Sequence, residues 1–313
     1  MIDQQGSFPA SLNSSNTRAV LERRARLFSN IRDYFASQGV LEVETPLLGD
    51  YPVTDPHLEN LRVAPGRMRE KKSWQYLQTS PEYAMKDLLS KGSGSIYQIC
   101  KAFRDDPNGR LHLPEFTMLE WYRVGYTLEQ LMDDVVAIVE TCMGSSEVER
   151  MSYRTAFTRY AGIDPFSASL KELKASAAMS GDFSFDDDDR DTWLDVLLTH
   201  VVEPRLGEGM LTFLFDYPAS QSALAMIEND ESGAEVAKRF ELYIDGIEIA
   251  NGYKELIDVD ELQARMMADN SRRAEQGKET KPEDRDLILS MDRGLPPCAG
   301  VALGLDRLLL SIT

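Results

Sequence analysis

The chain has 313 residues, with 34 Lys+Arg against 52 Asp+Glu and therefore a formal net charge of −18. At 42% hydrophobic residues it can bury a core, which excludes a disordered tail, and it has no apolar run of the roughly 18 residues that a membrane helix needs. Proteins that grip nucleic acid carry a basic stripe to neutralise phosphates, and this acidic chain argues against that class.

The first residues, MIDQQGSFPASLNSS, lack a basic and apolar leader and read as a loose N-terminal segment over 1–17. Three cysteines (Cys100, Cys142, Cys298) lie far apart without a CxxC, which fits a reduced, cytoplasmic setting and excludes a zinc ribbon. Apolar residues at helical spacing predict an amphipathic helix over 18–38 with Gly39 as its stop. The alternating run 40–46 predicts a strand closed by Pro46, and 50–72 reads as loop and hairpin. Within it, Arg62, Arg67, Arg69, Lys71 and Lys72 form a basic cluster, either a solvated loop or a docking patch for an acidic partner. A short strand is expected at 74–78, then a helix to about Lys91 with Ser80 as N-cap and Pro81 in its first position.

Strands are expected at 95–104 and 115–124, joined by a turn at 107–109, with a helix at 128–142. Residues 150–210 read as mostly helical, with helices near 153–161, 170–178 and 190–206. The acidic run 186–189 suits the start of the last of these. Strands follow at 211–216, 223–228, 238–244 and 247–254, then helices at 258–277 and 284–291, a strand at 299–303 and a final helix from Gly304. Short turns between consecutive strands predict antiparallel pairing and an α+β fold in place of a doubly wound parallel sheet. The P-loop signature is absent.

Three places offer chemistry. Asp245-Gly246 is a two-residue hairpin signal, and pairing Tyr243 with Glu248 and Glu241 with Ala250 puts both glutamates on one face. Two like charges so close need a cation between them, unless both are simply solvated. Asn251, Tyr253 and Glu255 have the opposite parity, and a bulge at Gly252 would turn them to the same side. Arg104 ends an apolar strand and is either a plain ion-pair partner or an anion clamp. The third place is the small-residue strand GVALG (300–304), followed by Arg307. It allows close ligand approach or, equally, tight packing.

In order, the strings TSPE (79–82), FR (103–104), HLPEFTMLEWY (112–122), RFE (239–241), GIEIANGY (246–253) and GLDR (304–307) resemble the motifs of class II aminoacyl-tRNA synthetases of the lysine type. The likeness runs from about residue 18 to the end. Within that class the chain is similar to the paralogous family of elongation factor P–(R)-β-lysine ligases. Few residues precede the first helix, where a lysyl-tRNA synthetase has an anticodon domain, and Ala302 stands where that enzyme typically has glycine. The string Phe116–Tyr122 with Trp121, and PASQS (218–222), point the same way.

The resemblance implies one class II catalytic domain over 18–313 that works with ATP and Mg²⁺. Arg104 would bind the α-phosphate and the substrate carboxylate, Phe116 would stack on adenine, and Arg307 would hold the γ-phosphate, with Gly304 allowing close approach. Asp105, Asp106, His112 and Ile249 would complete the nucleotide site, and Glu241 and Glu248 would ligate Mg²⁺. Ser80, Pro81, Glu82, Glu120, Tyr122, Asn251, Tyr253, Glu255 and Ala302 would line the pocket for (R)-β-lysine or lysine. Asp105-Asp106 stands where the family usually has Asn-Glu, and Leu113 where asparagine is usual. The implied activity is formation of an aminoacyl-adenylate and its transfer to a lysine of elongation factor P, by a homodimer, without tRNA and away from membranes. The alternatives are a truncated synthetase that charges tRNA and an inactive amino-acid-binding regulator.

Overall fold

A computed structural model describes residues 17–66, 73–106, 109, 112–181, 183 and 188–311. In chain order its elements begin with α1 (Thr17–Ser37), β1 (Leu41–Glu42), β2 (Leu48–Gly49), β3 (Arg62–Val63), β4 (Gln75–Leu77) and α2 (Glu82–Ser90). Next come β5 (Ile96–Phe103), β6 (Glu115–Val124), α3 (Leu128–Met143), β7 (Val148–Ser152), α4 (Tyr153–Tyr160), α5 (Leu170–Ser180) and α6 (Arg190–Leu197). The remainder is β8 (Leu211–Pro218), β9 (Ile227–Asn229), β10 (Glu235–Ile244), β11 (Ile247–Lys254), α7 (Val259–Glu275), α8 (Arg285–Asp292), β12 (Cys298–Gly304) and α9 (Leu305–Ser311). The chain divides into two compact units. One holds the described residues up to Gly125 with Ile257–Cys298 and Gly304–Leu309; the other holds Tyr126–Leu256, Ala299–Leu303 and the described residues after Leu309. The expected leader, the basic residues 67–72, part of the 107–109 turn and the first half of the acidic run 186–189 lie outside the described residues.

In the first unit, Leu27, Ile31 and Phe35 recur every four residues along α1 and are fully buried. Phe35 stacks on Tyr97 (ring centroids 4.2 Å apart) and meets Trp121 edge-on at 5.6 Å. These rings fix α1 against one face of the β5–β6 hairpin, which is antiparallel from Ile96↔Tyr122 to Phe103↔Glu115. β1 pairs with β5 in parallel. The strand expected over 40–46 is therefore only two residues long. Val43 still donates to the Tyr97 carbonyl (2.8 Å), but the Thr45 amide turns to the Gln98 side chain (3.1 Å), and Pro46 has no N–H to continue a ladder. The start of α2 also differs from expectation. Pro81 is the N-cap, and Ser80 Oγ accepts the Glu82 amide at 3.4 Å. Behind the loop that precedes β3, the buried Arg273 of α7 donates to the Glu279 carbonyl (2.7 Å), the Asp55 carbonyl (3.1 Å) and the Glu59 carboxylate. Lys281 reaches the same carboxylate at 3.2 Å. Burial works against the Glu59 charge, but these two cations outweigh it and hold its pKa below the usual carboxylate range.

In the second unit the sheet runs β12-β11-β10-β8-β7, with β9 beside β10. The expected antiparallel pairing holds from β12 to β8. β7, which overlaps the start of the stretch read as mostly helical, is a correction: it pairs with β8 in parallel, from Val148↔Leu211 to Ser152↔Phe215. The helix expected over 190–206 ends at Leu197 and passes into a π-helical turn and a 3-10 turn that carries Pro204. Its start agrees, because Asp189 caps it by accepting the Asp191 amide (3.2 Å). β9 is shorter and later than the strand expected at 223–228, because Ala223 takes a left-handed φ of 46°. A core of Tyr153, Phe157, Trp193, Leu197, Leu214 and Tyr217 lies between α4–α6 and the sheet.

The β10–β11 hairpin turns at Asp245 (φ 48°) and Gly246 (φ 73°), the two positive φ values that a type I′ turn requires. Its register departs from expectation after Tyr243↔Glu248. Leu242 pairs with Ala250 and Glu241 with Asn251, so the bulge falls at Ile249 and not at Gly252. Gly252 is glycine for another reason: a Cβ there would lie 2.5 Å from the Phe240 ring and 3.0 Å from Val301 Cβ. Gly252→Ala should therefore overpack the sheet, lowering stability by about 1–3 kcal/mol in a thermal or urea denaturation series. An unchanged midpoint would show that the Phe240 ring moves aside freely.

Candidate active site

Alternation along β6 and β5 gathers the first unit's candidates. Phe116, Glu120 and Tyr122 have one parity on β6 and pair with Ala102, Gln98 and Ile96, whose parity leads to Arg104. This is the face opposite Tyr97, Trp121 and α1. Arg104 is placed by its amide, which donates to the Pro114 carbonyl (3.1 Å), and by the next amide, Asp105, which donates to the Glu59 carbonyl (2.9 Å). Its guanidinium lies over the Phe116 ring, 5.2 Å from the centroid. Its Nε is buried and has no hydrogen-bond partner among the described residues. His112 is exposed and closes a turn with Gly109 through two backbone hydrogen bonds of 3.2 and 3.3 Å. Asp105 is exposed and Asp106 half-buried beside it.

Glu120 is buried and accepts from the Tyr122 hydroxyl at 2.7 Å. Glu82, in the first turn of α2, accepts from Lys86 Nζ at 2.6 Å, and Lys86 is fully buried. Sequence reasoning missed Lys86, although its i+4 spacing from Glu82 was a visible signal. Ser80 and Pro81 precede this turn, Pro81 buried. Gly304 and Arg307 lie at the start of α9. A Cβ on Gly304 would meet only the Arg307 stem, at an ordinary 3.8 Å, and its φ is not left-handed. Neither backbone φ nor these contacts require glycine there.

The second unit carries the other candidates on one sheet face. Register sets Arg239↔Tyr253↔Gly300 in one row and Glu241↔Asn251↔Ala302 in the next, with Tyr243↔Glu248 beyond. The bulge at Ile249, whose own side chain is buried, is what brings Asn251 and Tyr253 to the same side as Glu248. Glu255, two residues on from Tyr253, is buried and bridges to Ala225.

Glu241 is the centre of this face. One carboxylate oxygen accepts from Arg239 and from Asn251 Nδ2 (3.2 Å); the other accepts from the hydroxyls of Tyr217 (2.6 Å) and Tyr243 (2.5 Å). The Arg239 guanidinium also lies over Tyr217, 4.5 Å from its centroid. Burial works against that guanidinium, but Glu241, then Tyr253, Tyr217 and Glu248, outweigh it and raise its pKa. Burial first and the Glu241 charge second push both tyrosines well above their usual range, so all four donors keep their protons at neutral pH. Tyr217 was not singled out from sequence, and Arg239 entered only within the RFE string, with no role of its own. Tyr217 had no local signal, because its place comes from pairing with a distant strand. Among the described residues no three His, Cys, Asp or Glu converge to hold a metal. As arranged, Glu241 does not fit an open Mg²⁺ ligand: a cation would have to displace one of four donors, one itself a cation. Asn251 Oδ1, by contrast, is buried with no hydrogen-bond partner among the described residues and suits a substrate N–H.

Comparison with known proteins identifies the family. The family described as tRNA synthetases class II (D, K and N) matches residues 9–313. The elongation factor P–(R)-β-lysine ligase of Vibrio cholerae is 46% identical over 295 residues, 93% of this chain and 90% of that protein. The ligase of the same name from Vibrio vulnificus is also 46% identical, and that from Vibrio atlanticus 44%, over the same shares. Carrying one face of candidate residues in each unit and this likeness over nearly its whole length, the chain belongs to the class II tRNA synthetase family and, within it, to the group of elongation factor P–(R)-β-lysine ligases.

Proposed function

We propose that the chain is an AMP-forming ligase that activates (R)-β-lysine, or lysine, with ATP and transfers it to a lysine side chain of elongation factor P. What supports this is the 46% identity to such a ligase over 93% of the chain, together with Arg104, whose guanidinium lies over the Phe116 ring and whose buried Nε has no hydrogen-bond partner among the described residues. In the first step the amino-acid carboxylate attacks the α-phosphorus of ATP, forming the aminoacyl-adenylate and releasing pyrophosphate. In the second the acceptor's ε-amine attacks the activated carbonyl, forming an amide and releasing AMP and a proton.

Arg104 is proposed for the α-phosphate and the carboxylate, Phe116 for adenine, and Arg307 for the γ-phosphate, with Asp105, Asp106, His112, Ile249 and Gly304 around them. Positioning and charge neutralisation do the catalytic work, and no covalent enzyme intermediate is needed. Glu82, Glu120, Glu255 and Asn251, with Ser80, Pro81, Tyr122, Tyr253 and Ala302, are proposed for the amino acid, because buried ammonium groups must be paired. Magnesium is the expected companion of ATP. Its proposed carboxylates are Glu248 and Glu241, the latter only with loss of a present donor, so no step is routed through it.

Two further proposals complete the picture. The two units together would act as one catalytic domain in a reduced cytoplasm, in keeping with three free cysteines; burial, then the Glu120 charge, pushes Cys100 up to about 12. No helix among the described residues is long and apolar enough to cross a membrane. The protein would be a homodimer through α1 and β1, where Leu21 and Leu41 are more than half exposed, at 53% and 58%.

Incubation of elongation factor P with the protein, ATP and (R)-β-lysine should raise the acceptor's mass by one lysyl residue. An unmodified acceptor alongside aminoacylated tRNA would instead select the synthetase. Arg104→Met and Arg307→Met should each lower kcat/KM for ATP–pyrophosphate exchange by about a hundredfold or more while leaving circular dichroism unchanged. Exchange at wild-type rate in either variant would remove that arginine from the phosphate site. Light scattering should give twice the mass of one chain, and a single-chain mass would refute the dimer.

A further inference from the structure

Arg307 is preceded by Asp306, a residue to which the proposed reaction gives no task. Its carboxylate is held by two donors from distant segments of the same unit. Oδ2 accepts the backbone N–H of Thr117 in β6 at 2.7 Å, and Oδ1 accepts Arg24 Nη1 of α1 at 2.6 Å. The triangle is closed by Arg24 Nη2, which donates to Thr117 Oγ1 at 2.6 Å. Arg24 and Asp306 side chains are each only 25% exposed, and Thr117 is buried.

The location gives this triangle its meaning. Thr117 follows Phe116 directly, so alternation points its side chain to the α1 side while Phe116 points to the candidate-site face. Asp306 likewise precedes Arg307 directly. One carboxylate therefore ties the residue after the adenine platform to the residue before the phosphate arginine, from behind the site. A partly exposed ion pair contributes little to global stability. A closed set of charge-assisted hydrogen bonds from three elements does fix orientation.

We propose that Asp306 is a positioning residue for ATP: with Arg24 and Thr117 it sets the distance between Phe116 and Arg307, and so the fit to the nucleotide's base and its terminal phosphate. This rests on the proposed nucleotide roles of those two residues. Arg24 extends the support to α1, so the placement of that helix bears on nucleotide affinity.

The test is Asp306→Asn, which keeps size and removes charge and an acceptor, with Arg24→Met, and Arg24→Lys as the conservative variant. ATP–pyrophosphate exchange should show KM for ATP raised about tenfold or more in Asp306→Asn and Arg24→Met, with KM for the amino acid unchanged and partial recovery in Arg24→Lys. Calorimetric titration of ATP alone reads the same effect without the reaction. If wild type binds ATP but catalyses no exchange, the ligase function fails while weaker ATP binding by Asp306→Asn still supports the positioning role. ATP binding by Asp306→Asn equal to wild type overturns it. So does a rise in both KM values together that follows the loss of folded protein in a thermal melt.

Discussion

A carboxylate taken out of water costs several kcal/mol unless donors surround it, and the second unit is organised by that requirement at Glu241. Its four donors arrive by three structural routes. Arg239 and Tyr243 flank it at two residues' distance on β10 and so share its face. Asn251 reaches it because the Ile249 bulge shifts the register of β11. Tyr217 reaches it across β8, where pairing slips between Ala237 and Phe240 and Asp216 takes a φ of 57°. That non-glycine left-handed residue is stabilised by Lys238, whose Nζ donates to its carboxylate at 2.6 Å. Two sheet irregularities that look unrelated thus serve one buried charge.

This also explains what could be read in advance. The Asp245-Gly246 turn was legible because its two positive φ values demand such residues, and the turn sets the first pairs of the hairpin. The bulge was legible as a need, since Asn251 and Tyr253 had the wrong parity. Its position was not, because glycine signals both a bulge and a close contact, and at Gly252 the contact with Phe240 is the cause. β7 was missed because a five-residue strand with two adjacent charged residues, Glu149 and Arg150, shows no alternation, and its partner in parallel pairing is a strand some sixty residues later. The β5–β6 hairpin was legible over nearly its full length, since both strands are long and apolar.

In the first unit the same alternation divides labour between neighbours. Phe116 and Thr117, adjacent in sequence, address opposite faces: one meets Arg104, the other the Arg24–Asp306 pair. Lys86 shows the corresponding logic on a helix. With no exposure of its own, it requires Glu82 as partner, and Glu82 is thereby fixed in one rotamer and its charge partly offset. A substrate ammonium reaching Glu82 would therefore meet an acceptor already shaped, at the expense of some of its attraction.

The net charge of −18 looks at first like an obstacle to any acidic acceptor. Screening changes that conclusion. At physiological salt the Debye length is about 8 Å, so a compact protein at its docking distance senses the local surface and hardly the total. A long polyanion is different, because its phosphates extend over many such lengths and each needs a cation to replace its counterions. Here many of the described cations already face carboxylates of the same chain: Arg24, Lys86, Arg154, Arg239, Arg273 and Lys281 all do so. Acidity and internal pairing among the described residues are therefore compatible with the compact protein acceptor proposed above.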